Sequence, residues 1–295
     1  MHCRDSVHVI VFTALALAGL CTQAVVGQAY FDMEPPGDVP VVFAPGIVSL
    51  DGNALREYDI SFWPDGLRCI FPRFGDSIPN FTVFEARYVD GEWTDPAPSE
   101  LFPDGGFSPS VSPDGRRIFY APADPLAPHG SLVLRMIELG SEGWSAPTSL
   151  FPGMYASASL DGTLYYTAFH RNKDHIAYRE PEGDGYGLER LVGPNVYDAR
   201  HEDAHPCIAP DGSYLIFDSE TRPRRNACWL FVSFRNEDGA WTEPAHMGGV
   251  LGDLPAALAR ITPDGRYLFF KADGDVYWVD AQVIEEAKRL ALGEQ

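Results

Sequence analysis

Lysine is almost missing from this chain of 295 residues: only Lys173, Lys271 and Lys288 occur, and 22 Lys plus Arg face 42 Asp plus Glu for a formal charge of -20. Phosphate backbones are held by clustered cationic side chains, so this balance excludes a nucleic-acid partner. It suits a protein kept soluble outside the cytoplasm. Cysteine is also scarce. Of five, Cys3 and Cys21 lie in the first 27 residues, leaving Cys69, Cys207 and Cys228. An odd number cannot make a complete disulfide framework. Buried free thiols are the default for Cys69 and Cys207 in apolar strand contexts, with a Cys207 to Cys228 bridge as the alternative. The apolar run from Val9 to Leu20 is too short to span a bilayer comfortably, which favours cleavage over anchoring. Residues 1–27, with Arg4 in a polar head and small residues toward Gly27, are therefore expected to be a cleaved export signal, and a periplasmic or extracellular protein without a transmembrane anchor is expected. Leu17-Ala18-Gly19-Leu20-Cys21 looks like a lipoprotein cleavage box with Leu20 where a small residue belongs.

Strand and turn formers are plentiful: 18 Phe, 13 Tyr and 6 Trp, with 28 Gly and 25 Pro. They are arranged in a repeat. Trp63-Pro64-Asp65-Gly66, Ser112-Pro113-Asp114-Gly115, Leu160-Asp161-Gly162, Ala209-Pro210-Asp211-Gly212 and Thr262-Pro263-Asp264-Gly265 place aspartates at 65, 114, 161, 211 and 264, that is, at intervals of 49, 47, 50 and 53. Such a period denotes one supersecondary unit used repeatedly. In each unit a short strand enters the Asp-Gly turn, and a second strand follows with paired large residues such as Phe119-Tyr120 and Phe269-Phe270. A third strand comes next, and a fourth is expected to begin near Trp93, Trp144 and Trp241. Four antiparallel strands in about 50 residues make a propeller blade. The expectation is an all-β chain: a single β-propeller of five four-stranded blades, six being the alternative count.

The last unit runs from Val279 into a helical pattern over 281–292 and lacks its fourth strand, while Val39 to Phe43 resembles the tail of a unit with no head. The second should complete the first. Residues 28–37 are expected to be an extended leader, and 38–295 the propeller with its helix.

The Ser-Pro-Asp-Gly-x-x-Leu-x-Phe pattern resembles the WD40-like, or PD40, repeat of the TolB-type propellers over Tyr58 to Val279, and the flanks are similar to a group of small exported proteins carrying it. The resemblance implies fold rather than activity.

In a propeller the Asp-Gly turns must share one face, here the turn face; the loops that lead into each first strand and join second to third strands share the other, the loop face. Variable loops around the channel mouth are where ligands bind. The densest polar cluster is His201-Glu202-Asp203-Ala204-His205, where extended alternation would aim His201, Asp203 and His205 the same way. His170 and Arg171 stand at the end of a neighbouring strand, and Arg222 lies in another loop. Two readings follow. In the first, an exported, non-enzymatic, monomeric propeller without a cofactor binds a protein, peptide or glycan partner through His170, Arg171, His201, Glu202, Asp203, His205 and Arg222. In the second, His170, His201 and His205 ligate a divalent metal in a lyase or hydrolase acting on an acidic polysaccharide, with Glu202 or Asp203 as base. The turn aspartates and the matching serines Ser61, Ser110 and Ser157 are expected to be structural, and no Gly-x-Ser-x-Gly, phosphate loop or His-Glu-x-x-His occurs.

Overall fold

A computed structural model describes residues 29–50, 55–75, 78–122, 128, 130–170, 173–222 and 227–292. The expected export signal and Arg171 lie outside them. Within them no helix is long and apolar enough to cross a membrane.

The chain forms five antiparallel blades. Blade 2 shows the plan: Phe107–Val111 pairs with Arg117–Ala121, which pairs with Val133–Gly140, which pairs with Thr148–Pro152. Blade 5 contains Ala257–Ile261, Tyr267–Ala272 and Asp275–Asp280, and its outer strand is Val41–Val42, with Val41 opposite Trp278 and Val42 opposite Tyr277. The orphan segment therefore closes the ring, and Phe43 and Val48 are fully buried behind it. The tryptophans expected to open the fourth strands instead sit before them. Trp93 and Trp144 pair back onto the third strand in short hairpins, and the fourth strands begin at Ala97 and Thr148. The helix Gln282–Leu292 buries Val283, Ile284 and Ala287 against blades 4 and 5.

The segment expected as an extended leader is folded. Tyr30, Phe31 and Asp32 form a left-handed turn with φ of 55°, 60° and 55°, which costs L residues roughly 1–2 kcal/mol each. Burial offsets that cost. Tyr30 is only 5% exposed and sits between blades 5 and 1, edge-on to Phe62 and Tyr267, while Phe31 stacks on Trp93 at 4.2 Å.

The turn aspartates act as their chemistry predicts. Oδ1 of Asp65, Asp114, Asp161, Asp211 and Asp264 accepts the N–H two residues on, at 2.9–3.1 Å. The following glycines hold φ between 68° and 86°. The inner-strand serines also have a structural use. Ser61 Oγ accepts the Val111 N–H and Ser157 Oγ that of Ile208, and Cys207 Sγ takes the Ile261 N–H, so neighbouring blades are tied together around the axis. Cys69, Cys207 and Cys228 are all free.

Candidate binding site at the propeller axis

Four of the five first strands carry a kink six residues before the turn aspartate. Ser108, Tyr155, His205 and Leu258 stand there with φ of 47°, 48°, 52° and 59°, and the pairing register slips at each. Such a bulge re-aims a side chain. Asp59 holds the same place in blade 1. Five non-identical side chains are thereby gathered at the axis.

Arg260, four residues before its own turn aspartate, takes the place of a serine and lies across the channel. Its Nε and Nη2 meet Asp59 Oδ2 at 3.0 and 2.9 Å, Nη1 donates to the Ala156 carbonyl at 2.9 Å, and Nη2 reaches the Ser108 carbonyl at 3.2 Å. The guanidinium also lies 3.7 Å above the Tyr155 ring. One side chain of blade 5 thus grips blades 1, 2 and 3. Below it, on the turn face, only about 20 Å³ remains between Ser61, Ser110, Ser157 and Cys207. Arg260 thus closes the axis at its middle.

The floor on the loop-face side is polar. His205 Nδ1 lies 3.0 Å from both oxygens of Asp218, whose Oδ2 also accepts the Leu258 N–H at 2.8 Å. The His205 backbone is anchored to Thr167 Oγ1, and its ring packs on Tyr155 at 4.8 Å. Burial presses the His205 imidazole toward its neutral form, but Asp218, with Asp174 and Asp59 behind it, holds its pKa above the ordinary histidine value. Burial likewise pushes the Asp59 carboxyl up, against the pull of Arg260. Two atoms stand apart: Asp59 Oδ1 and Ser108 Oγ are buried and make no hydrogen bond among the described residues. At the rim Tyr58, Phe81 and Phe107 form an edge-to-face cluster with centroids 5.1–5.8 Å apart, and Lys271 Nζ stands 3.9 Å over Tyr58.

The residues singled out from the sequence do not converge as alternation predicted. The strand begins only at Asp203, and the kink at His205 breaks the two-residue period. His201 lies in the turn before it, with Nδ1 3.3 Å from Thr221 Oγ1 and Nε2 3.9 Å from Asp198. Asp203 is buried and paired with Arg222 at 2.9 Å, and Arg222 also holds the Val196 carbonyl. Glu202 is exposed, its backbone N–H bonded to Thr221. His170 is exposed at a strand end, its ring 6.4 Å from that of His175. Only His205 reaches the axis. Among the described residues no three His, Cys, Asp or Glu side chains are disposed to hold a metal ion, so the trio His170, His201 and His205 is not assembled. Asp59, Ser108, Asp218 and Arg260 were missed. The signal that could have found them is the alignment of the five units on the turn aspartate, where Arg260 replaces Ser or Cys and Asp59 replaces Ser, Tyr, His or Leu.

The chain matches no known protein family. A search of curated proteins likewise found no match. Solved structures do share its fold. An α-L-arabinofuranosidase from Lactobacillus brevis superposes with a TM-score of 0.50 at 12% identity, over 76% of this chain and 86% of that one. The gluconolactonase XC5397 from Xanthomonas campestris gives 0.47 at 13% identity, over 87% and 92%. A prolyl endopeptidase gives 0.42 at 16% identity, and there this chain, covered over 82%, spans 33% of the neighbour's length. At 12% identity the first of these likenesses is one of fold alone.

Proposed function

We propose that this is an exported propeller of the TolB-type repeat class that binds a peptide or glycan partner, without turnover, in the cup at the axis of its loop face. The observation that carries this reading is a pair of buried atoms at the axis, Asp59 Oδ1 and Ser108 Oγ, without hydrogen bonds among the described residues and beside the partly exposed His205. Buried polar atoms without partners are costly, by about 1–3 kcal/mol each. A ligand hydroxyl or amine that donates to Asp59 and accepts from Ser108 removes that cost, and the aromatic rim supplies the flat apolar surface that sugar rings and peptide side chains pack against. The groups that could have served as catalytic acids and bases are spent on one another: Asp59 Oδ2 on Arg260, Asp218 on His205 and Leu258, and Asp203 on Arg222.

One observation favours a second reading. His205 has its Nδ1 fixed by a carboxylate, the arrangement that leaves Nε2 as a general base, and a lyase or hydrolase would use it so. The experiment that separates the two is a screen of purified protein against soluble glycans and peptides, repeated with Ser108→Ala and with product analysis. Binding that weakens about fivefold or more in Ser108→Ala, with the ligand recovered intact, supports the binding protein. Release of shortened products that stops in His205→Gln supports the enzyme. Binding indifferent to Ser108→Ala removes the cup from both readings.

A further inference from the structure

On the turn face, successive blades leave a groove between their Asp-Gly turns, and side chains from elsewhere in the chain pack into three of the five. Trp63 and Pro64 cover Gly115 between blades 1 and 2. Between blades 3 and 4, Arg235 bonds Tyr165 at 2.6 Å, stacks on Trp241 and lies over Gly212. The C-terminal helix packs across blades 4 and 5 and leaves about 520 Å³ open beside Tyr214, Gly265 and Tyr267. Tyr30 fills the groove between blades 5 and 1. Among the described residues the groove between blades 2 and 3 takes only Pro181, which would stand 3.0 Å from a Cβ on Gly162, and about 230 Å³ of it is open. That is ample for an aromatic ring, since a cavity of about 150 Å³ accepts benzene.

The filled groove at Tyr30 is a template for this one. Counted from the turn aspartate, Thr262, Asp264, Tyr267 and Phe269 of blade 5 correspond to Ser112, Asp114, Arg117 and Phe119 of blade 2; Phe62 and Gly66 of blade 1 correspond to Ala158 and Gly162 of blade 3. Asp264 Oδ1 caps its own turn, and its Oδ2 receives the Tyr30 hydroxyl at 3.4 Å. Asp114 Oδ1 caps its turn in the same way, while its Oδ2 receives no hydrogen bond among the described residues. The Gly66 carbonyl accepts the Tyr30 backbone N–H at 3.1 Å, and the corresponding Gly162 carbonyl accepts none of the backbone bonds. The open space has a cause in sequence. At the place of Ala158 the other blades carry Phe62, Val111, Ile208 and Ile261. The buried Tyr186 hydroxyl at the back of the groove stands beside the Arg117 guanidinium, and Leu160 stands 65% exposed at the lip.

We propose that the groove between blades 2 and 3 is a docking site for a tyrosine on an exposed segment of a partner protein. The phenol ring enters over Ala158 and Phe119 and its hydroxyl donates to Asp114 Oδ2. The N–H of the same residue donates to the Gly162 carbonyl, as Tyr30 does across the neighbouring pair of blades. This site is on the face opposite the axial cup, and it stands or falls independently of the function proposed for that cup.

The probe is a synthetic peptide copying residues 29–36, Ala-Tyr-Phe-Asp-Met-Glu-Pro-Pro, titrated into the full protein with the backbone amides of Leu160 and Gly162 observed by NMR. Saturable shifts at those amides are expected. Replacing the peptide tyrosine by Phe should weaken binding about tenfold, the worth of a hydrogen bond to a charged acceptor, and replacing it by Ala should abolish it. The blocking variant is Ser112→Trp, which copies the way Trp63 fills the groove between blades 1 and 2 and so suits the fold. It should lose the peptide while staying folded, its melting temperature lowered only by the loss of the Ser112 Oγ acceptor for the Arg117 N–H. Absence of shifts at millimolar peptide, shifts confined to the Tyr30 groove, or binding undiminished in Ser112→Trp would overturn the proposal. So would a wild-type dimer that Ser112→Trp makes monomeric, since the occupant would then be a second copy of this chain.

Discussion

The two ends of the axial channel are built from the same positions of the same repeat and differ in what occupies them. Four residues before the turn aspartate, Ser61, Ser110, Ser157 and Cys207 are near equivalents, and Ser61, Ser157 and Cys207 each accept an N–H from the next blade. Two residues earlier stand Asp59, Ser108, Tyr155, His205 and Leu258, with no common chemistry at all. A blade that serves only the ring should look like its neighbours, because each makes the same contacts. The loop-face end departs from the repeat at every blade, and Arg260 departs at the serine position in order to span it. In a repeat protein the site is where the units disagree.

The largest way to break this contrast is Arg260→Met. It leaves Asp59 buried without its cation and frees two backbone carbonyls, so a loss of about 3–5 kcal/mol is expected. Urea denaturation measures it, and Ser61→Ala, which removes one side-chain acceptor, should cost only about 1 kcal/mol. Equal losses would mean the axis is uniform. Next is Tyr30→Ala, expected to cost about 3 kcal/mol because a buried aromatic wedge between blades 5 and 1 disappears. A melting temperature equal to wild type would restore the picture of a loose leader. On the turn face, Gly115→Val should cost about 1–3 kcal/mol, from positive φ and a Cβ that would stand 2.9 Å from Pro64. Gly212→Val, with φ of 75° and its nearest neighbour at 3.8 Å, should cost less. The reverse order would show that space, not backbone, is irrelevant at these turns.

The smallest effect is in pH. Because Asp218 raises the folded-state pKa of His205, its stabilisation is fully present below the ordinary histidine value of about 6.5 and is lost as pH rises through the folded value. The difference in melting temperature between wild type and His205→Gln should therefore be largest in mildly acidic buffer and shrink in alkaline buffer. A difference that grows with pH would mean the imidazole is held neutral.

Much of this was legible in advance at the level of modules. Five Asp-Gly turns gave five blades, and the unpaired Val39 to Phe43 gave the closing strand, because turn chemistry and strand period are local. The leader was misread because nothing within Tyr30 to Asp32 favours a left-handed turn; the aromatic wedge that holds it there comes from Phe62 and Tyr267, far away in sequence. The histidine cluster was misread for a similar reason. Alternation assumes a regular strand, and the kink at His205 is set by its bonds to Thr167 and Asp218 in other strands.

Sequence alone determined that this chain is a ring of repeated four-stranded sheets with aspartate-capped turns on one face, since those features depend on contacts within a few residues or within one blade. Only the tertiary structure decided which side chains meet at the axis and which groove is left open. Both depend on juxtapositions between blades some 50 to 200 residues apart, such as Arg260 on Asp59, |i−j| = 201, and no local pattern records a contact that the closure of the ring creates.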